Sequence, residues 1–183
     1  MTSLQKNNSS VFSLAVVVAA LGYFVDIYDL LLFTIVKKDS MLAVGATDAT
    51  MLSDSTKVIN WQMVGLLLGG IIWGIMGDKK GRLSVLFGSI ILYSCSNFIT
   101  GFAQTVNQYA TCRFVTGRGL AGELGAGITL VSELLPKNKR GIGTSLVAGI
   151  GLFGAVAAYF TYDFTKDWRL CYKIGGGLGI MLL

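Results

Sequence analysis

Gly74-Ile75-Met76-Gly77-Asp78-Lys79-Lys80-Gly81-Arg82 joins two apolar runs, 58–77 and 83–104, each long enough to cross a bilayer. The ionised side chains of this stretch, Asp78, Lys79, Lys80 and Arg82, are confined to the turn itself. Gly81 relieves a tight reversal. Asp78, closing the first run, can accept from backbone donors or pair with Arg82, and the cations mark the cytoplasmic side. Two spans with a charged turn between them make a hairpin through a membrane. In hydrocarbon only helices and closed barrels satisfy every backbone N–H and C=O, so runs of this length predict an all-α membrane protein.

Outward from that hairpin the same pattern repeats. The chain has 183 residues, 53% hydrophobic and 14% charged, with a mean hydropathy of +0.65; a soluble domain carries about a quarter charged residues. Six runs can span: 11–36, 58–77, 83–104, 109–135, 141–162 and 168–183. The first is too long and too acidic for a cleaved signal peptide and is expected to stay as a helix. The last is short of the roughly 20 residues a span needs and ends on Gly-Ile-Met-Leu-Leu, so the expectation is a six-helix bundle with its sixth helix truncated. A polar tail, 1–10, precedes the bundle, 11–183.

The net charge of +5 is divided among short loops, without interleaved aromatics, which argues for topology signals and against nucleic acid. Lys6, the turn after helix 2 and the turn after helix 4, with Lys137, Lys139 and Arg140, place the N-terminus in the cytoplasm and the protein in the inner membrane. Lys37, Lys38 and Lys57 on the opposite side weaken the asymmetry; Asp39, Asp48 and Asp54 nearby count for little under this rule. With no histidine, no cysteine cluster and no nucleophile motif, neither a metal, a cofactor nor an enzyme is indicated. Small residues four or eight apart, among them Gly65 and Gly69, Gly70 and Gly74, Gly117 and Gly125, Gly141 and Gly149, predict close helix packing.

Two spans carry charge. In helix 1, Asp26 and Asp29 interrupt Gly22-Tyr-Phe-Val-Asp-Ile-Tyr-Asp-Leu-Leu-Leu-Phe33, and a spacing of three puts them on one face. A carboxylate at that depth costs about 2.5–3.5 kcal/mol, so it must meet water, a cation or a proton. Both are candidate proton sites. Asp29, deeper relative to the outer end of the run, is the first choice, and the alternative for either is a pairing with an intramembrane arginine that holds the bundle together. Helix 4 holds Arg113, Arg118 and Glu123; three ionised groups in one span point to function. Glu133 and Arg140, flanking Pro136, fit an acid and a base stapling two helices across a proline-broken turn better than direct proton handling.

The turn resembles the loop pattern of the major facilitator superfamily: Gly, three residues, Asp, a cation, one residue, Gly, Arg and a second cation. Gly74, Asp78, Lys79, Gly81 and Arg82 fit it, and Leu83 departs from it. The resemblance implies a gating latch between two halves of a transporter, with this chain the N-terminal half. Arg113 and Gly117 resemble the family's helix 4 pattern, whose arginine lies in or near the coupling site. Glu123, followed by Glu133, Pro136 and Arg140-Gly141, is similar to the metabolite:proton symporter branch. Asp26-Ile-Tyr28-Asp29 matches that branch's helix 1, with Ile in place of an aromatic. A weaker similarity, in the same stretch, is to phagosomal amino-acid transporters of intracellular bacteria. Helix 5 lacks the proline of the antiporter pattern.

What the resemblance implies is proton-coupled symport of a small metabolite (an amino acid, a sugar or an organic acid) by alternating access, with H+ as coupling ion and no cofactor. Asp26, Asp29, Arg113 and Glu123 would form the coupling or substrate cavity, and the partners would be lipid, the substrate and a C-terminal half. The competing reading is a truncated, transport-inactive remnant, or a half-transporter that needs a partner half. An isolated half is then expected to leave those four residues on a face open to lipid.

Overall fold

In the computed structural model residues 14–182 are described, apart from the side chains of 14–15, 124, 126–128 and 130–134. The tail 1–10 and the Glu133 side chain therefore lie outside the described residues. Six helices follow in order: α1 (Leu14–Ala43), α2 (Met51–Lys80), α3 (Arg82–Thr100), α4 (Val106–Leu134), α5 (Arg140–Thr165) and α6 (Trp168–Ile180). By length and composition α1, α2, α3 and α5 suffice to cross a membrane. Of the other two, α4 carries Arg113, Arg118 and Glu123, and α6 has 13 residues.

The helices outrun the apolar runs. α1 continues through Lys37-Lys38-Asp39 to Ala43, and α2 begins at Met51, so most of the loop expected over 37–57 is helical and only 44–50 connects. Met41, fully buried, explains the extension of α1: an apolar side chain one turn beyond the charges still reaches the core. The reversal between α2 and α3 is a single residue, Gly81, at φ +88°, a conformation that costs an L side chain energy. The α4–α5 turn carries Pro136, and Arg140 Nε donates to the Leu135 carbonyl at 3.0 Å. Asp167 caps α6, accepting from the Arg169 N–H at 2.9 Å.

α1 and α4 form the interior. α2 packs chiefly on α4, α5 on α1, and α3 on both α4 and α6. The peripheral helices each bury one narrow stripe, Ser55, Val58, Gln62, Gly65 and Gly69 on α2 and Gly143, Val147, Gly151, Gly154 and Ala158 on α5. These recur every three or four residues, the repeat of one helix face. Close approach is where the sequence placed it for Gly65, Gly69 and Gly117: a Cβ at Gly69 would lie 2.5 Å from the Arg118 carbonyl oxygen, and those at Gly65 and Gly117 would meet the carbonyls of Phe114 and Gln62. Gly70, Gly74, Gly125, Gly141 and Gly149 meet nothing within 4 Å. Their spacing put them on common faces, but a Cβ at these positions would touch nothing among the described residues.

Candidate functional site

Asp26, Asp29, Arg113 and Glu123 come together between α1 and α4, at 0%, 1%, 0% and 3% exposure. The expectation that an isolated half leaves them open to lipid is corrected by these values. Tyr28 and Tyr172 close the site on one side and Val25, Tyr93 and Leu120 on the other, in two separate apolar clusters. The acids face into the half-bundle itself.

Within the site the acids divide. Arg113 Nη1 donates to Asp29 Oδ2 at 2.8 Å and Nη2 to Oδ1 at 3.2 Å, a two-point match of guanidinium to carboxylate that fixes both groups. The guanidinium is then covered by rings. Its Cζ lies 4.4 Å from the centroid of Tyr172 and 6.0 Å from that of Tyr109, and the two phenols are hydrogen-bonded to each other at 2.7 Å. Tyr109 also donates to Ser40 Oγ at 3.4 Å. Tyr28, next to Asp29, donates to the Cys171 carbonyl at 3.0 Å, locking α1 to α6. The result is a buried ion pair covered by aromatic rings.

Asp26 has a different neighbour. Its carboxyl interacts with that of Glu123 across the α1–α4 interface, with Asp29 the next charge away. Neither carboxyl meets a hydrogen-bond donor from elsewhere among the described residues, and no salt bridge reaches them there. Gly22, one turn before Asp26, makes this possible, because a Cβ there would collide with Glu123 Oε1 and lie 3.1 Å from its Cδ. Two buried carboxyls side by side cannot both hold a charge without a compensating cation. The arrangement can bind one.

Several buried polar groups near this site were not singled out from the sequence. Tyr93, Ser94 and Asn97 on α3 are fully buried, with Tyr93 Oη, Ser94 Oγ and both Asn97 side-chain atoms unpartnered. Their signal was present as polar residues recurring every three or four positions along α3, at Ser89, Tyr93, Ser96, Asn97 and Thr100, all buried. The aromatic residues Tyr109, Trp168 and Tyr172 look like ordinary membrane-interface residues until α4 and α6 are seen side by side.

The other expected groups lie elsewhere. Asp78 and Lys79 are exposed at the α2–α3 reversal, beside Gly81 and a half-buried Arg82, while Gly74 and Arg82 line a cavity of about 220 Å³ with Trp73 and Gly122. Pro136 and Arg140 are exposed at the α4–α5 turn. Among the described residues no group of three or more His, Cys, Asp or Glu side chains is placed to hold a metal ion.

Residues 12–183 match the family profile described as Major Facilitator Superfamily. The chain is 29% identical over 160 residues to the sialic acid transporter NanX of Escherichia coli, covering 86% of this chain and 38% of NanX. It is 30% identical over 128 residues to the niacin transporter NiaP of Acinetobacter baylyi, covering 68% of this chain and 29% of NiaP. In three dimensions it resembles the proton:xylose symporter XylE bound to 6-bromo-6-deoxy-D-glucose, with a TM-score of 0.84 at 18% identity, over 96% of this chain and 44% of that one. The chain thus spans less than half the length of the relatives it matches. With a matching profile over nearly all its residues and the N-terminal half of the fold in its helices, the chain belongs to the Major Facilitator Superfamily of membrane transporters.

Proposed function

We propose that this chain provides the N-terminal half of a proton-coupled symporter in which Asp26 and Glu123 together load and release the proton. The observation that carries the reading is the pair itself: two carboxyls at 0% and 3% exposure, neighbours across the α1–α4 interface and without a salt-bridging cation among the described residues, beside the Asp29–Arg113 ion pair. A proton shared between the two acids removes one of their charges, and its loss on the cytoplasmic side restores it, so the cost of burying charge is tied to the direction of the gradient. Asp29 and Arg113 hold the neighbouring charge constant through the cycle.

The substrate is a small metabolite, and an organic acid fits before an amino acid or a sugar. Sialic acid and niacin, named for relatives, are both carboxylic acids, and an anion carried with a proton crosses without net charge. In this reading the protein lies in the inner membrane with its N-terminus in the cytoplasm, and Gly74, Asp78, Lys79, Gly81 and Arg82 form a gating latch. The turn at Glu133, Pro136 and Arg140 holds α4 to α5. Uptake of labelled organic acids, amino acids and sugars into proteoliposomes under an inward proton gradient tests the proposal. Gradient-driven uptake is expected to vanish in Asp26→Asn and Glu123→Gln; undiminished uptake in both would sink it.

A second reading is favoured by a specific observation. The outward faces of α2 and α5 are broadly apolar, with Leu67, Ile71, Phe153 and Phe164 at 68%, 56%, 66% and 82% exposure, and the chain covers less than half of its relatives. On that reading these six helices act only together with a second six-helix half packed against those faces.

A further inference from the structure

Where α3 turns into α4, the surface carries a groove of about 530 Å³ that the coupling site does not use. Its polarity is graded along the helices. Asn107 and Gln108, in the first turn of α4, stand at the mouth; one turn deeper come Thr111 and Cys112, and Ile99, Phe102 and Ala103 complete an apolar wall. The two amides at the mouth are oriented through their oxygens. Lys57 Nζ of α2 donates to Asn107 Oδ1 at 2.6 Å, and the Gln104 N–H donates to Gln108 Oε1 at 3.0 Å. Each oxygen is engaged, and each NH2 is left as a donor. From the α6 side Lys173 lays its stem on Gly101, where a Cβ would lie 3.0 Å from Lys173 Cγ, and holds its ammonium 4.2 Å from the centre of the Phe102 ring. Among the described residues no salt bridge reaches Lys57 or Lys173, and no carboxylate lines the groove. One end of an apolar groove therefore carries two cations and two amide donors.

We propose that this groove binds one anionic phospholipid, phosphatidylglycerol, whose phosphate sits among Lys57, Asn107 and Gln108 while an acyl chain runs along Ile99 and Cys112. Depth fits this occupant. α3 is long and apolar enough to cross a membrane, so its end at Thr100 puts the mouth of the groove at the level of the headgroups. Charge selects among lipids: donors and cations without an acid favour a headgroup of net negative charge, and the ammonium of phosphatidylethanolamine meets no carboxylate in the groove. A free phosphate would use the mouth alone and leave the apolar wall bare, with Ile99 and Phe102 at 57% and 56% exposure. An acyl chain covers that wall and removes it from water and from the polar headgroup layer.

Phosphatidylglycerol carrying a photoactivatable diazirine in one acyl chain, titrated into the purified full chain in detergent and mapped by mass spectrometry of peptides, tests the site. Saturable labelling is expected within residues 99–112. Unlabelled phosphatidylglycerol should displace it at a concentration at least about tenfold lower than phosphatidylethanolamine with the same chains, as expected if both cations discriminate. Lys57→Gln is expected to raise the half-saturating concentration about fivefold, the effect of one cation near the headgroups. Thr111→Trp, at an exposed position in the groove, should abolish labelling there by filling it. Lys57 is exposed as well, so Lys57→Gln decides the matter should Thr111→Trp lose the fold. Labelling spread evenly over the six helices, or saturation unchanged in Lys57→Gln, overturns the site. Equal displacement by the two phospholipids overturns the choice of an anionic headgroup, and equal displacement by inorganic phosphate overturns the lipid.

Discussion

Arg113 is fully buried, paired at two points with Asp29 and stacked on Tyr172. Removing one member of a buried pair leaves an uncompensated charge, at a cost of about 3–5 kcal/mol. Arg113→Leu is therefore expected to destabilise the chain by roughly that amount. Combining it with Asp29→Asn should recover most of the loss, because both charges are then gone; thermal unfolding of the three variants in detergent measures it. A double variant as unstable as Arg113→Leu alone would show that the pair does more than neutralise itself. Tyr172→Leu removes the ring under the guanidinium together with some volume and the hydrogen bond to Tyr109, and a loss of at least about 2 kcal/mol, the size of a desolvated cation–π contact, is expected, read from the same unfolding curves. Of this site, Asp26, Asp29, Arg113 and Glu123 were legible as charges in apolar runs, because a charge in a span stands out. Which acid meets which partner was not legible, since it depends on the rotation of α4 about its own axis against α1. The aromatic cover was hidden because Tyr109 and Tyr172, 63 residues apart, acquire their role only through α4–α6 packing.

At the scale of the element, neighbouring glycines on α2 separate sequence pattern from packing. Gly69 faces α4, where a Cβ would sit 2.5 Å from the Arg118 carbonyl oxygen and 2.7 Å from its Cα; Gly70, the next residue, meets nothing within 4 Å. Gly69→Ala must push two backbones apart and is expected to destabilise by about 1–3 kcal/mol, the usual range for overpacking. Gly70→Ala should instead stabilise by about 0.5–1 kcal/mol through helix propensity alone. Thermal unfolding of the two single variants in detergent, taken side by side, gives opposite signs if the α2–α4 contact is as described. The sequence offered Gly65/Gly69 and Gly70/Gly74 as equivalent pairs, and a four-residue spacing alone cannot say which face a neighbour occupies. Helix ends were blurred for a related reason. The apolar runs marked where lipid is expected, whereas hydrogen bonding and buried residues such as Met41 carry α1 on to Ala43.

At the scale of the whole molecule, the polar and apolar surfaces are inverted relative to a soluble protein. The charges of the site are inside, and large apolar side chains such as Leu67, Phe153 and Phe164 are outside, on α2 and α5. These faces meet lipid if the chain stands alone and helices of a partner half if it does not. The two cases differ in what a polar substitution does. A Lys at the lipid-facing centre of a helix costs about 2.5–3.5 kcal/mol, whereas one facing a water-filled cleft between halves costs little. Ile71 and Leu152, at 56% and 65% exposure on α2 and α5, are suitable probes. If α2 and α5 border a transport cleft, Ile71→Lys and Leu152→Lys in the chain co-expressed with a complementary six-helix half should still insert and reach the membrane at near wild-type levels. In the chain alone the same variants should fall several-fold in membrane-integrated yield, measured by fractionation and carbonate extraction. Equal losses with and without the second half would mean that these faces lie against lipid in both, and that gating cannot run between them.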